Sequence, residues 1–441
     1  MNKIIMSCVV GLSMLQTAQA DLNLDVNLPV TVVKKAQMPA HQNITGSQDW
    51  LAKVNQAYAQ RDFRQALNEI LRAQQNVHAT SPDRAKMLLI KADCMRRLEM
   101  TAGAIDALDE VIAIFGGFED AASQGFVIKA YLKKGNFAQQ SRDIDQAFDA
   151  YQQVIDRAYA SPERRFQIDA ADAVLGKADL FNMIGRMDKA LELHDQLISK
   201  FMEEEDEPLA ERVAQALISK AWVLKRLGQT EHHISALDML IQYFSDHSSP
   251  LIQLYVGQAV EFKGKWLESQ QKWSEASVLY HQWLTHVQYG SSVEVDEQKG
   301  FISHLQATNL LTQAKANWSD QPVAQAQLSQ ALLLNQQNMT HLSKSDQLLA
   351  LSDMAYIAWL TNQPEQASGY IKQIMQQSPR NAIQRIIKRN NQGSPYLGFS
   401  DFVQAHWPAI EGSTEVSTPR ARSAIPTSFL KLGSERILHK K

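Results

Sequence analysis

At 441 residues the chain can bury one large core or several small ones. It is 45% hydrophobic and 21% charged, which excludes a disordered polymer, and its 19 Gly and 13 Pro are few for a turn-rich β architecture. With 44 Lys/Arg against 47 Asp/Glu, nothing in the charge balance suggests a nucleic-acid protein.

The first predicted element is a leader. "MNKIIMSCVVGLSMLQTAQA" has one cation, Lys3, then an apolar run from Ile4 to Leu15, then Ala18-Gln19-Ala20, a small-x-small cleavage pattern. Residues 1–20 are expected to be a signal peptide cut after Ala20, because the apolar run is shorter than the ~20 residues that span a bilayer. An uncleaved anchor is the alternative. Cys8 leaves with the signal, so the mature chain keeps Cys94 alone and has neither an internal disulfide nor a cysteine zinc site. Residues 21–46 follow as a leader in which Leu22, Leu24, Val26, Leu28, Val30 and Val32 alternate with other residues, a strand-like period of two. It is read as an extended flexible leader, with addition to the sheet edge of a partner as the alternative.

From residue 47 the pattern turns helical and repeats. "LLIKADCMRRL", "FVIKAYLKKG", "VLGKADLFNMIG" and "ALISKAWVLKRLG" share a Lys-Ala pair, at Lys91-Ala92, Lys129-Ala130, Lys177-Ala178 and Lys220-Ala221; Gln258-Ala259 stands at a fifth such point. The steps are 38, 48, 43 and 38 residues. A second helical segment follows each block, as in "AIDALDEVIAIF" and "ALELHDQLISKF". A lysine copied in this way is a scaffold feature, whereas a unique buried lysine would be a candidate base. Ser81-Pro82, Ser161-Pro162 and Ser249-Pro250 are expected to cap and open helices. The acidic run Glu203–Glu207 is expected to be a solvated loop ahead of another helix start.

These blocks resemble the tetratricopeptide repeat. In that pattern a small residue is followed seven positions on by Gly and twelve on by Ala. Ala178, Gly185 and Ala190 match throughout; Ala221 has Gly228 but His233; Ala92 has Ala104, and Ala355 has Ala367 and Pro379. The units of Ala130 and Ala259 fit only with five extra residues before Ala147 and Ala276. The resemblance covers roughly residues 47–380 and implies an all-α fold, a right-handed α-solenoid of tandem helix–turn–helix units. Repeats are expected over 47–290, further helix pairs including one such unit over 291–380, and capping helices over 381–411.

No residue set asks to be a catalytic centre. His232-His233 cannot share a metal from adjacent helical positions, no phosphate loop or serine elbow is present, and neither metal nor cofactor is expected. Glu268-Ser269 matches the opening dipeptide of a wall lyase, but the segment that should follow is absent. The resemblance instead implies a concave face lined by the first helices. Its groove positions select Leu89, Asp93, Arg96 and Arg97; Val127, Tyr131 and Lys134; Leu175, Asp179 and Asn182; Ile218, Trp222, Lys225 and Arg226; Val260 and Lys263; and Tyr356 and Trp359. Arg96, Arg97, Tyr131, Lys134, Trp222, Lys225, Arg226 and Lys263 are the expected partner-binding residues, because arginine forks pair with carboxylates and aromatic rings anchor.

Residues 412–441 hold six Lys/Arg and two Glu among Ser, Thr and Pro, and are expected to be a disordered basic tail that touches the envelope or a partner. The expectation is an exported, non-enzymatic adaptor of the bacterial cell envelope, periplasmic or alternatively secreted, that binds a protein or peptide and no nucleic acid. A lytic transglycosylase-like enzyme, or a subunit of a secretion or polysaccharide-export machine, is the alternative.

Overall fold

Second helices begin at a regular step over much of the chain. The computed structural model describes residues 47–287 and 292–377, with Phe399 and Val403. The expected signal peptide, leader and tail, and all but two residues of the expected caps, lie outside the described residues. Every described element is a helix.

The chain divides into two units, before and after Val77. In the first, α1 (Ser47–Ala59) buries Trp50, Val54 and Ala57, and α2 (Phe63–Gln74) buries Ala66 and Ile70. The Asp62 carboxylate accepts from Gln65 N at 2.9 Å and caps α2.

The second unit contains helix pairs: α3 (Pro82–Arg97) with α4 (Thr101–Phe115), α5 (Ala121–Gln140) with α6 (Ile144–Ala158), α7 (Arg164–Met183) with α8 (Met187–Phe201), α9 (Glu207–Arg226) with α10 (Thr230–Phe244), and α11 (Pro250–Ser269) with α12 (Trp273–His286). Then come α13 (Val293–Ala316) with α14 (Gln321–Asn338), and α15 (Lys344–Leu360) with α16 (Pro364–Gln377). Second helices start at 101, 144, 187, 230 and 273, a step of 43. One turn added to α13 lengthens the next step to 48, and α16 restores 43. α3 packs on α4 and α5, and from α5 to α15 each first helix packs on its own second helix, on the preceding second helix and on a neighbouring first helix. The first helices thus form a continuous row, which is the packing of an α-solenoid.

The turns fix the register. Among the described residues seven take a left-handed backbone: Arg61, Glu99, Arg142, Gly185, Gly228, Gln271 and Asn362, with φ between 56° and 81°. Each ends the tight turn between the two helices of a pair, where only glycine is free of a Cβ penalty. Seven residues before them stand Val54, Ala92, Gly135, Ala178, Ala221, Gly264 and Ala355, all buried. The small positions of two units are therefore Gly135 and Gly264, not Ala130 and Ala259. The five extra residues expected before Ala147 and Ala276 do not exist, and the steps of 38 and 48 become 43.

The physical reason is size. Sixteen residues after the small position comes a residue of the second helix: Leu108, Tyr151, His194, Leu237 and Tyr280 in turn. A Cβ on Gly135 would stand 2.7 Å from the Tyr151 ring, and one on Gly264 2.2 Å from Tyr280. Where the second helix carries Tyr, the first helix must carry Gly.

Helix starts depart from expectation as well. Ser81 caps α3, accepting from Arg84 N at 3.2 Å. Ser161 does not cap a helix, because α7 begins at Arg164. Ser249 lies next to Pro250 but gives its hydroxyl to Glu211 at 2.8 Å. Asp120 and Asp206 cap α5 and α9 through Ser123 N and Leu209 N. Within the acidic run, Asp206 is thus a cap, and Glu204 pairs with Arg164 at 2.7 Å.

Candidate functional site

The corrected register sorts the lysines. Lys91, Lys134, Lys177, Lys220 and Lys263 occupy one slot, each directly before the small residue. Four of them reach back 25 residues to the preceding second helix. Lys134 meets Asp109 at 2.6 Å, Lys220 meets Asp195 at 2.5 Å and Lys263 meets Asp238 at 2.6 Å, while Lys177 bonds Gln152. Lys134 and Lys263, expected in the groove, are thus engaged with second helices. Their stems cover apolar surface between helices and their ammonium groups end at partly exposed carboxylates. Tyr131 is likewise drawn toward α6, with the Arg157 guanidinium 5.3 Å from its ring.

Two other expected residues tie the row together. Arg96 bonds Gln140 of α5, and Arg226 reaches Asn182 Oδ1 of α7 at 2.5 Å. Both bonds join the last turns of neighbouring first helices. Arg97, at the end of α3, is exposed. Leu89, Val127, Leu175, Ile218, Val260 and Tyr356 are buried core rather than lining. Tyr356 and Trp359 pack with Phe399, at 4.8 and 5.6 Å between centroids.

Trp222 and Lys225 do come together, with a residue the sequence reading missed. The Trp222 ring meets Phe262 of α11 edge-on at 4.6 Å, and the Lys225 amine stands over both rings, at 5.2 and 4.7 Å. Burial and the nearby Lys265 pull the Lys225 ammonium below its ordinary pKa, while Glu261 opposes the shift. Lys265 lies over Phe301 of α13 at 4.8 Å and pairs with Glu261 at 2.6 Å. Lys265 is missed when the groove positions of α11 are counted from Ala259 instead of Gly264, five residues early; Phe262 stands two residues before Gly264, at none of the selected positions.

Carboxylates occupy the rest of the row. Arg212 of α9 grips Asp172 of α7 at 2.8 and 3.2 Å. Burial pushes Asp169 up to about 7, against the pull of Lys129. Asp179, a selected groove position, is also pushed up to about 7, by burial alone. Glu268, the lyase candidate, accepts from Asn309 Nδ2 at 3.0 Å and from the Tyr280 hydroxyl at 3.3 Å. Burial raises its pKa and these two donors lower it. The Cys94 thiol is buried and pushed up to about 12, so it carries no thiolate near neutrality. Among the described residues no group of three or more His, Cys, Asp or Glu is placed to hold a metal. Among them, too, no helix is long and apolar enough to cross a membrane.

The family model for the tetratricopeptide repeat matches residues 51–117 and 132–203. No curated protein matches the sequence. A solved tetratricopeptide repeat protein from Parabacteroides merdae is similar at 10% identity, over 69% of this chain and 98% of that one, with a TM-score of 0.34. BtubC from P. vanneervenii is similar at 13% identity, over 66% and 92%, with a TM-score of 0.35.

Proposed function

The chain is a tetratricopeptide-type repeat protein, and from that premise we propose that it is a non-catalytic adaptor whose row of first helices holds a segment of a partner protein. Repeats of this type serve as protein-interaction scaffolds, and tandem stacking builds an extended surface rather than a closed pocket. The observation that carries the reading is the Trp222–Phe262–Lys225 cluster. It spans α9 and α11 and presents the partly exposed Trp222 ring, backed by the buried Phe262 ring, beside the exposed Lys225 side chain. Aromatic anchors of this kind dominate binding energy at interfaces. The place of action in the proposal is the cell envelope, outside the cytoplasm, and residues 1–20 support it by their charge, apolar run and Ala-Gln-Ala end.

The test is a photo-crosslinking residue in place of Lys225, activated in intact cells. A discrete crosslinked protein is expected, and Trp222→Ala should abolish it while helical circular dichroism persists. Recovery of the same product from the Trp222→Ala chain would overturn the groove reading. Export is tested separately by N-terminal sequencing of the mature protein, with Asp21 expected as the first residue.

A further inference from the structure

First helices meet in repeating rungs. Asp93 and Trp222, each just after a small position, meet the residue 40 positions later on the next first helix. Asp93 meets Lys133, whose ammonium lies 2.9 Å from both carboxylate oxygens. At the same step, the Tyr151 hydroxyl donates to Asn136 Oδ1 at 2.7 Å and lies against Gly176. Trp222 meets Phe262 ring to edge. Past the added turn of α13 the step is 45, and Thr308 donates to Asp353 Oδ2 at 2.9 Å.

Each of these rungs is filled from within the chain. The rung of Asp179 is different, because the register puts Ser219 opposite a carboxylate. Asp179 has no hydrogen-bond or ion-pair partner among the described residues. Its side chain still touches water, yet protein surrounds it densely enough to raise its pKa.

No cation on either helix is left for it. On α7, Arg164 pairs with Glu204, Arg165 with Glu163, and Lys177 with Gln152. On α9, Arg212 is held by Asp172, Lys220 by Asp195 and Arg226 by Asn182, while Lys225 lies over the two rings.

We propose that the open rung at Asp179 receives one basic side chain, lysine or arginine, from the partner segment held along the row. The proposal rests on the adaptor reading and names the chemistry of its partner. The next rung is the Trp222–Phe262 pair. Packed helices lie about 8–10 Å apart and an extended chain advances about 3.3 Å per residue. The bound segment therefore carries its basic residue about three positions from a large apolar one.

The test uses the full mature chain and capped Gly/Ser dodecapeptides as probes, read by fluorescence anisotropy. One series carries Arg and Phe at separations from one to six residues. Control series replace Arg by Gln, or Phe by Ser. The Arg-plus-Phe peptide of separation three is expected to bind about tenfold tighter than its Gln control, the worth of one charge-assisted hydrogen bond. Asp179→Asn should cut that gain below about twofold and leave the dependence on Phe. Ser219→Lys should do the same, by placing in this rung the cation that Lys133 supplies to Asp93. Either variant that keeps the Arg gain overturns the proposal, as does a wild-type chain that binds Arg and Gln peptides equally. If a Phe dependence survives in that case, the Asp179 assignment alone falls. If neither dependence is seen, the groove reading falls with it.

Discussion

Tyr151 of α6 stands against Gly135 of α5 so closely that a methyl group there would lie 2.7 Å from its ring. Its far end presses as closely on Gly176 of α7, and its hydroxyl reaches Asn136 and Gln139. One tyrosine thus couples two repeats through two glycines. Gly135→Ala should destabilise the protein by roughly 1–3 kcal/mol, the usual cost of overpacking, although alanine is the better helix former. Gly135→Ala combined with Tyr151→Leu recreates the pairing of Ala92 with Leu108 and should recover most of the loss. A double-mutant cycle in urea measures the coupling, and purely additive effects would refute the size relationship.

The left-handed turn residues give a prediction of opposite sign. Glu99, Arg142 and Gln271 hold φ of 62° without being glycine. Arg142→Gly and Gln271→Gly should each stabilise by about 0.5–1 kcal/mol, because relief of the Cβ clash exceeds the entropy lost by glycine. Thermal unfolding of each variant reads this, and a fall in melting temperature would count against it.

The fold class was legible because helical periodicity, sparse glycine and the Ala178–Gly185–Ala190 spacing all point the same way. The exact register was not, because the eye follows Lys-Ala pairs. Lys129-Ala130 imitates the pair, but the equivalent pair is Lys134-Gly135. Here glycine replaces alanine to admit a tyrosine sixteen residues on, a compensation visible only once the helices are packed. The five-residue slip moved Lys134 and Lys263 into the expected groove and kept Lys265 out of it. Trp222 and Asp179 were found because Ala178 and Ala221 are the small positions of their units, each seven residues before a turn glycine. The same register places Lys220. It is one of a file of bridging lysines, and Lys220→Met should change stability by less than ~1 kcal/mol, as for other partly exposed ion pairs.

His194 occupies the slot that Leu108 and Leu237 fill in other repeats. It is buried, its Nδ1 has no partner, and burial pushes its pKa down to about 4, with Asp195 opposing and Lys220 adding to the shift. The folded pKa is below the unfolded one, so the unfolded chain binds the proton first as pH falls. The stability is intact above about 6.5 and is lost as pH drops toward 4, by roughly 2–3 kcal/mol. His194→Leu should remove this share of the acid sensitivity. Urea midpoints measured near pH 7.5 and 4.5 test it, and an unchanged difference between the two pH values would show that His194 is not its source.

Asp179 predicts a pH dependence of the other sign. Its folded pKa, about 7, stands above the usual carboxylate value of 3.8. Below 3.8 the carboxyl is neutral in both states and has no effect. As pH rises, the unfolded chain releases the proton first, and stability falls until the folded carboxyl ionises near 7. The loss is of order 2–4 kcal/mol. Asp179→Asn should therefore be near neutral at pH 4 and stabilising at pH 8, with Asp169 left in place as the second shifted carboxylate. Equal stability of the two proteins at pH 8 would show that burial of Asp179 does not cost the fold stability. The same ionised carboxylate is what a basic side chain from a partner would neutralise. Asp93 gains its cation from Lys133 in folding; at Asp179 the chain leaves the charge uncompensated, and the stability lost there is what a bound lysine or arginine would restore.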